Sequence, residues 1–142
     1  IGSGTIIAVK NSLCSNQFDL VQELSDFEVV LVEVTNLYNS RKILLVCCYR
    51  QSNDRGFLKN FEQILSRLNT NDHYTVIFLG DFNYPAIRLI EESGFSNSVS
   101  GEDNDFVNVL MDNYIYQLVE VPTRGDKILV LVLTYTPFGV TS

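Results

Sequence analysis

Hydrophobic positions along the chain fall into two alternating rhythms. Thr5-Ile6-Ile7-Ala8-Val9, after the flexible Gly2-Ser3-Gly4, is predicted to be a strand. Phe27 to Val34 alternates or runs apolar and is predicted to be a second strand. Polar Asn36 to Ser40 supplies a turn, and Lys42 to Tyr49 forms a third strand, the last two making a hairpin. The rhythm then changes. Ser52-Asn53-Asp54 offers helix-capping side chains, and Phe57, Leu58, Phe61, Ile64, Leu65 and Leu68 recur at steps of three and four. That spacing lines one apolar face of a helix.

After the polar stretch 69–72, Thr75-Val76-Ile77-Phe78-Leu79 is a further strand running into Gly80-Asp81-Phe82-Asn83. Residues 93–105 are rich in Ser, Gly, Asn and Asp and are predicted to be a surface loop. Phe106, Val107, Leu110, Met111 and Tyr114 mark a second amphipathic helix. Gln117 to Val121 is predicted to be a short strand stopped by Pro122, and Ile128 to Thr134 a buried strand. Strands interleaved with helices, several of them joined by short turns, indicate a mixed α/β fold containing antiparallel sheet. No repeat, low-complexity tract or linker divides the chain, so residues 1–142 are expected to form a single domain or part of one.

Composition narrows this picture. Of the 142 residues, 46% are hydrophobic, which supports a substantial core and argues against disorder. A net charge of −7 excludes an affinity for nucleic acid that rests on a broad basic surface, though not a locally positive cleft. No apolar stretch reaches bilayer length and no basic-then-apolar leader opens the chain, so neither a membrane protein nor a secreted one is expected. The three cysteines, Cys14, Cys47 and Cys48, show no Cys-x-x-Cys spacing and are expected to be buried free thiols. With one histidine in the chain, a zinc site is not expected.

The candidate chemistry gathers at two strand ends. Positions i and i+2 of an extended chain point the same way, so Asp81 and Asn83 can converge on one spot while Phe82 turns into apolar packing. A carboxylate that takes a proton beside an amide that orients a neighbour suits hydrolysis at a polar centre. The same residues, with Pro85, also describe a strand ending in a turn. The third strand closes in Tyr49-Arg50. If the two strands run in one direction in one sheet, Tyr49 and Asp81 reach the same edge. Arg50 would then offer paired donors to phosphate oxygens, and Tyr49 would donate to an oxygen gaining charge. Taken alone, Tyr49-Arg50 reads more readily as an amphipathic strand end with a snorkelling arginine; together with Asp81 and Asn83 the phosphate reading overtakes it.

A Tyr-Arg strand end, an amphipathic helix, a strand into Gly-Asp-Phe-Asn, and Pro122-Thr123-Arg124 leading to an apolar run together resemble the endonuclease/exonuclease/phosphatase family. The nearer likeness is to its apurinic-like endonuclease branch in non-LTR retrotransposons. The resemblance spans Gly4 to Thr134. It implies a four-layer sandwich of two mostly antiparallel sheets with helices outside, and Mg²⁺-dependent hydrolysis of a phosphodiester by in-line attack. By the same resemblance Asp81 is the aspartate that activates water, Asn83 holds that aspartate and the phosphate, and Tyr49 stands beside the scissile phosphate. The substrate implied is DNA, with a reverse transcriptase downstream in the same polyprotein and nuclear or cytoplasmic residence.

The chain departs from the family pattern at three places. The metal-binding glutamate is expected upstream of Ile1, and the closing Ser-Asp-His beyond Ser142. The apolar run reads Leu129-Val130-Leu131 where the family carries an aspartate that orients the catalytic histidine. His73 does not substitute, because it begins the strand that Asp81 ends, roughly 26 Å away. Glu33 is expected to face solvent. One acid and one amide hold Mg²⁺ weakly, so this partial domain, truncated at both ends, is expected to be inactive or feeble. A non-catalytic relic, for which Val130 argues, and a phosphatase acting on a small phosphoester are the alternatives. Arg50, Arg55, Lys59 and Arg124 could rim a DNA backbone, or be ordinary solvated charge.

Overall fold

A computed structural model describes residues 5–18, 28–35, 41–68, 74–84, 101–119, 121–125 and 129–135. The expected elements at Gln117–Val121 and Ile128–Thr134 fall partly outside these ranges, and His73, Pro85 and the 36–40 turn wholly outside them.

Among the described residues, six strands form one sheet. β1 (Cys14–Phe18), β2 (Val29–Thr35) and β3 (Lys42–Tyr49) pair antiparallel in sequence order. β4 (Tyr74–Asp81) lies parallel to β3, with α1 (Phe57–Leu68) as the crossover between them. α2 (Glu102–Asp112) follows, then β5 (Tyr116–Gln117) and β6 (Val130–Thr134), which returns antiparallel to β4. The strand order is β1-β2-β3-β4-β6-β5. Among the described residues no helix is long and apolar enough to cross a membrane.

Alternation decides which sheet face is covered. Leu44, Val46 and Cys48 of β3, Val76 and Phe78 of β4, and Leu131 and Leu133 of β6 are buried on one face. α1 lays Phe57, Phe61, Ile64, Leu65 and Leu68 onto it, as its spacing predicts, and α2 adds Phe106, Val107 and Leu110. The two helices meet over the sheet through rings: Phe61 contacts Phe78 at 5.4 Å and Phe106 at 5.6 Å between centroids. Phe82, turned inward from the end of β4, packs against Phe57, Phe61 and Phe106. Ring pairs at these separations add to burial, so the aromatic cluster clamps the end of β4 from below. The opposite face carries Ile43, Leu45, Cys47, Ile77 and Leu79, all half-buried.

Several expectations need correction. The segment 5–9 is not a strand: the edge strand is the polar Cys14–Phe18, and Ile6 is 88% exposed. Pairing with β2, an interaction between distant segments, chose the strand against local β-propensity. α2 begins at Glu102, inside the expected loop, and Met111 and Tyr114 point outward. The helix has ended by Tyr114, whose φ of 56° takes it off the helical face. Cys14 is exposed and Cys47 half-buried, leaving Cys48 as the one fully buried thiol. Glu33 does not face solvent. It is buried beside Leu44 in the sheet register and forms an ion pair with Lys42 at 3.5 Å.

Candidate active site

The parallel pairing of β3 with β4 puts Tyr49 directly beside Asp81. Asp81 in turn faces Val130 across the antiparallel pair with β6. On the outer side, the Tyr49 N–H donates to the Glu28 carbonyl at 3.1 Å, so Glu28 extends the row one strand further. Glu28, Tyr49, Asp81 and Val130 therefore stand side by side on one sheet face at one end of four adjacent strands, separated by about 4.8 Å per strand.

The glycine that opens Gly80-Asp81-Phe82-Asn83 has a steric cause. Gly80 pairs with Cys48 and has φ of +149°, and a Cβ placed there would lie 1.8 Å from the Cys48 carbonyl oxygen. Only a residue without a side chain lets β4 approach β3 this closely. That approach sets Asp81 beside Tyr49.

Beyond the strand, Asn83 turns back with φ of 51°, a left-handed conformation that asparagine tolerates better than most residues. Its N–H donates to Oδ1 of Asp81 at 3.0 Å and fixes the carboxylate. Its Nδ2 donates to the Arg50 carbonyl at a long 3.4 Å, while Nη1 of Arg50 donates to the Asn83 carbonyl at 2.8 Å. A further bond runs from the Arg50 N–H to the Asp81 carbonyl at 2.9 Å. The loops after β3 and β4 are thus stitched together by three bonds involving Arg50.

Arg50 itself is only 4% exposed, and its guanidinium lies 4.0 Å from the centroid of the Tyr84 ring. It neither snorkels nor presents its fork at the rim, where phosphate contact was expected. Residue 50 follows the parity of Leu44, Val46 and Cys48, which the core face dictates. Tyr84, stacked on Phe106 at 4.4 Å, supplies the aromatic face that makes burial of the cation tolerable.

Two participants went unnoticed in the sequence. Thr123 Oγ1 accepts from the N–H groups of Leu129 at 3.0 Å and Val130 at 3.2 Å, fixing the start of β6 next to Asp81. Glu28 borders a cleft of about 260 Å³ lined also by Tyr49, Gln51, Asn53 and Asp54. Only strand registration could have flagged Glu28; Thr123 had a weak signal in Pro122-Thr123-Arg124. Val130, inside a run expected to be buried, is 42% exposed at the rim. Arg55 and Lys59 are exposed at the start of α1, and Arg124 is exposed near Thr123.

A Mg²⁺ ion requires several hard oxygen ligands in tight octahedral geometry. Among the described residues no three His, Cys, Asp or Glu side chains converge, and Asp81 with the Asn83 amide does not amount to such a centre.

No protein-family model and no curated protein matches the chain. Solved structures do. The chain shares its fold with the endonuclease domain of TRAS1, a telomere-specific non-LTR retrotransposon, at a TM-score of 0.57 and 18% identity. That match covers 86% of this chain and 54% of the TRAS1 domain. An endonuclease/exonuclease/phosphatase family protein from Leptotrichia buccalis is similar at 18% identity and a TM-score of 0.46, over 87% of this chain and 48% of its own. The chain spans about half the length of these structures.

Proposed function

We propose that this chain is the phosphodiester-cleaving part of a retroelement endonuclease of the endonuclease/exonuclease/phosphatase type. One observation carries the reading: Tyr49 and Asp81 are register partners, and the Asn83 backbone locks the Asp81 carboxylate in place. In this reading Asp81 takes the proton of the attacking water. Tyr49, one strand away, donates to the phosphate oxygen that gains charge in the transition state. Asn83 holds the carboxylate through its N–H and offers its side-chain amide to the phosphate. Arg50 is a positioning residue that joins the two loops from behind.

The wider assignment follows from the likeness to the TRAS1 domain. DNA is the proposed substrate, its backbone passing the exposed Arg55, Lys59 and Arg124, and a reverse transcriptase is the proposed neighbour in the polyprotein, which would act in the nucleus. The proposed architecture is the four-layer sandwich, whose second sheet would cover the half-buried face carrying Leu45, Cys47, Ile77 and Leu79. Mg²⁺ would have to draw its remaining ligands from outside the described residues.

A second reading, a domain that keeps the fold without the chemistry, is favoured by Val130. An apolar side chain stands next to Asp81 where a second polar group would assist it. A supercoiled-plasmid nicking assay on the chain within the proposed polyprotein, which would bring the remaining Mg²⁺ ligands, separates the two. Nicking by the wild-type chain with Mg²⁺, reduced at least about a hundredfold in Asp81→Asn, supports hydrolysis. Equal nicking by both proteins overturns Asp81 as the base, and no nicking by either supports the non-catalytic reading.

A further inference from the structure

Asn83 stands in a costly backbone conformation that its bond to Asp81 does not secure by itself. Its φ of 51° lies in the left-handed region, which a residue with a Cβ enters only at an energetic cost. In that turn its N–H reaches back two residues to Oδ1 of Asp81 at 3.0 Å. The bond is only partly buried, so water competes for the carboxylate. A further support has to hold the turn.

The next residue in the chain supplies it. The Arg50 guanidinium carbon lies 4.0 Å from the centroid of the Tyr84 ring, and Phe106 of α2 stacks on that ring at 4.4 Å with planes 18° apart. Two groups that close to one centroid would collide on the same face, so the Tyr84 ring lies between them. Arg50 also donates through Nη1 to the Asn83 carbonyl at 2.8 Å, and that carbonyl belongs to the peptide joining Asn83 to Tyr84. One side chain thus grips the peptide and rests on the ring attached to it, while Phe106 closes the far side. A cation over a desolvated ring is attracted more strongly than one at the surface. The Phe57 ring meets Tyr84 edge-on at 6.2 Å, so α1 and α2 both brace it.

We propose that Tyr84 is a positioning residue: clamped between Arg50 and Phe106, it holds Asn83 in the left-handed turn that directs the Asp81 carboxylate. The inference rests on the phosphodiester reading above and adds a residue to that same site. At 1% exposure Tyr84 reaches no substrate and acts through Asn83. A ring that served the core alone would weaken the whole fold when altered. A clamp releases Asn83 first, while β3 and β4 keep their pairing.

Amide hydrogen exchange on the ¹⁵N-labelled chain separates these roles. In Tyr84→Leu, protection of the Asn83 N–H should fall on the order of tenfold further than protection of the β3 and β4 amides. The three-bond HN–Hα coupling of Asn83, which reports φ, should leave its left-handed value. Tyr84→Phe keeps the ring and should match the wild type in both readouts. Should Tyr84→Leu not fold, Arg50→Lys keeps the charge but loses the flat guanidinium that lies on the ring, and should show the same local loss. Asn83 and strand amides losing protection in parallel, or an unchanged Asn83, overturn the clamp. In the polyprotein Tyr84→Leu should also nick plasmid more slowly, and wild-type nicking with Asn83 released would overturn the positioning role. Exchange is read without DNA, so its failure leaves the phosphodiester reading standing. Equal nicking by wild type and Asp81→Asn overturns that reading, and with it the purpose assigned to Tyr84.

Discussion

Asp81 is held by groups that do not titrate: the Asn83 N–H on its carboxylate and the Arg50 N–H on its carbonyl. Asp81→Asn retains an oxygen for the Asn83 bond, so the nicking assay reads chemistry and not collapse, provided the circular dichroism of the two proteins coincides. Arg50 makes a different kind of contribution. Arg50→Met removes a charge-assisted bond to the Asn83 carbonyl and the cation over Tyr84, and should cost about 2–3 kcal/mol in urea denaturation. Any loss of nicking should then follow the misplaced Asn83. Val130→Asp would set a carboxylate directly across from Asp81. Like charges in that arrangement destabilise by roughly 0.2–1 kcal/mol. The urea midpoint at neutral pH should fall and be partly recovered by added salt, which screens like charges. An unchanged midpoint would show that the two carboxylates do not converge.

At the scale of elements, the β3–β4 contact is the joint on which the site depends. Gly80→Ala would drive a methyl group to 1.8 Å from the Cys48 carbonyl, and that atom belongs to backbone, which cannot swing aside. The strands would have to part, separating Tyr49 from Asp81. The expected outcome is loss of cooperative thermal unfolding, or early hydrogen exchange at β4 amides if the protein still folds. The aromatic cluster beneath is the second support. Phe61 is fully buried and its ring meets Phe57, Phe78, Phe82 and Phe106. Phe61→Ala should cost about 3–5 kcal/mol, measured by urea denaturation, because α1, α2 and the end of β4 all lose a partner. Much of this level was legible in the chain. The three- and four-step spacing of α1 and the Lys42–Tyr49 strand match the structure, as does the pairing of that strand with its predecessor. Where expectation failed, at 5–9 and in the first turn of α2, local pattern competed with a distant partner or a polar helix start. The distant partner lies outside any sequence window, whereas the acidic start of α2 was local but shares its composition with the polar stretch before it.

For the molecule as a whole, buried acids set an alkaline limit. Burial pushes the Cys48 thiol far above its ordinary 9.0, with neighbouring Cys47 adding to the effect, and Cys47 is itself raised by partial burial. The Tyr135 phenol, which packs against Phe78, is pushed up to about 12 from 10.0 by burial. All three are groups whose neutral form the fold prefers. Their contribution is fully present below the unfolded-state values and is lost as pH rises through the folded ones. The melting temperature should therefore be level near neutral pH and decline from about pH 9. Cys48→Ala should be less stable at neutral pH but decline less steeply. Parallel curves for the two proteins would remove Cys48 from this account.

The sequence by itself determined the alternation that builds the sheet, the helical face of α1, and the composition of Gly80-Asp81-Phe82-Asn83, because period and turn chemistry are local properties of a chain. Tertiary structure decided which residues share the site. Strand registration aligned Glu28, Tyr49, Asp81 and Val130, though they are distant in sequence. Parity on β3 sent Arg50 into the core beneath Tyr84 and left Tyr49 at the rim. Which strands become neighbours, and in what register, is set by burying apolar faces against one another across the whole molecule, and that competition has no signature at any single position.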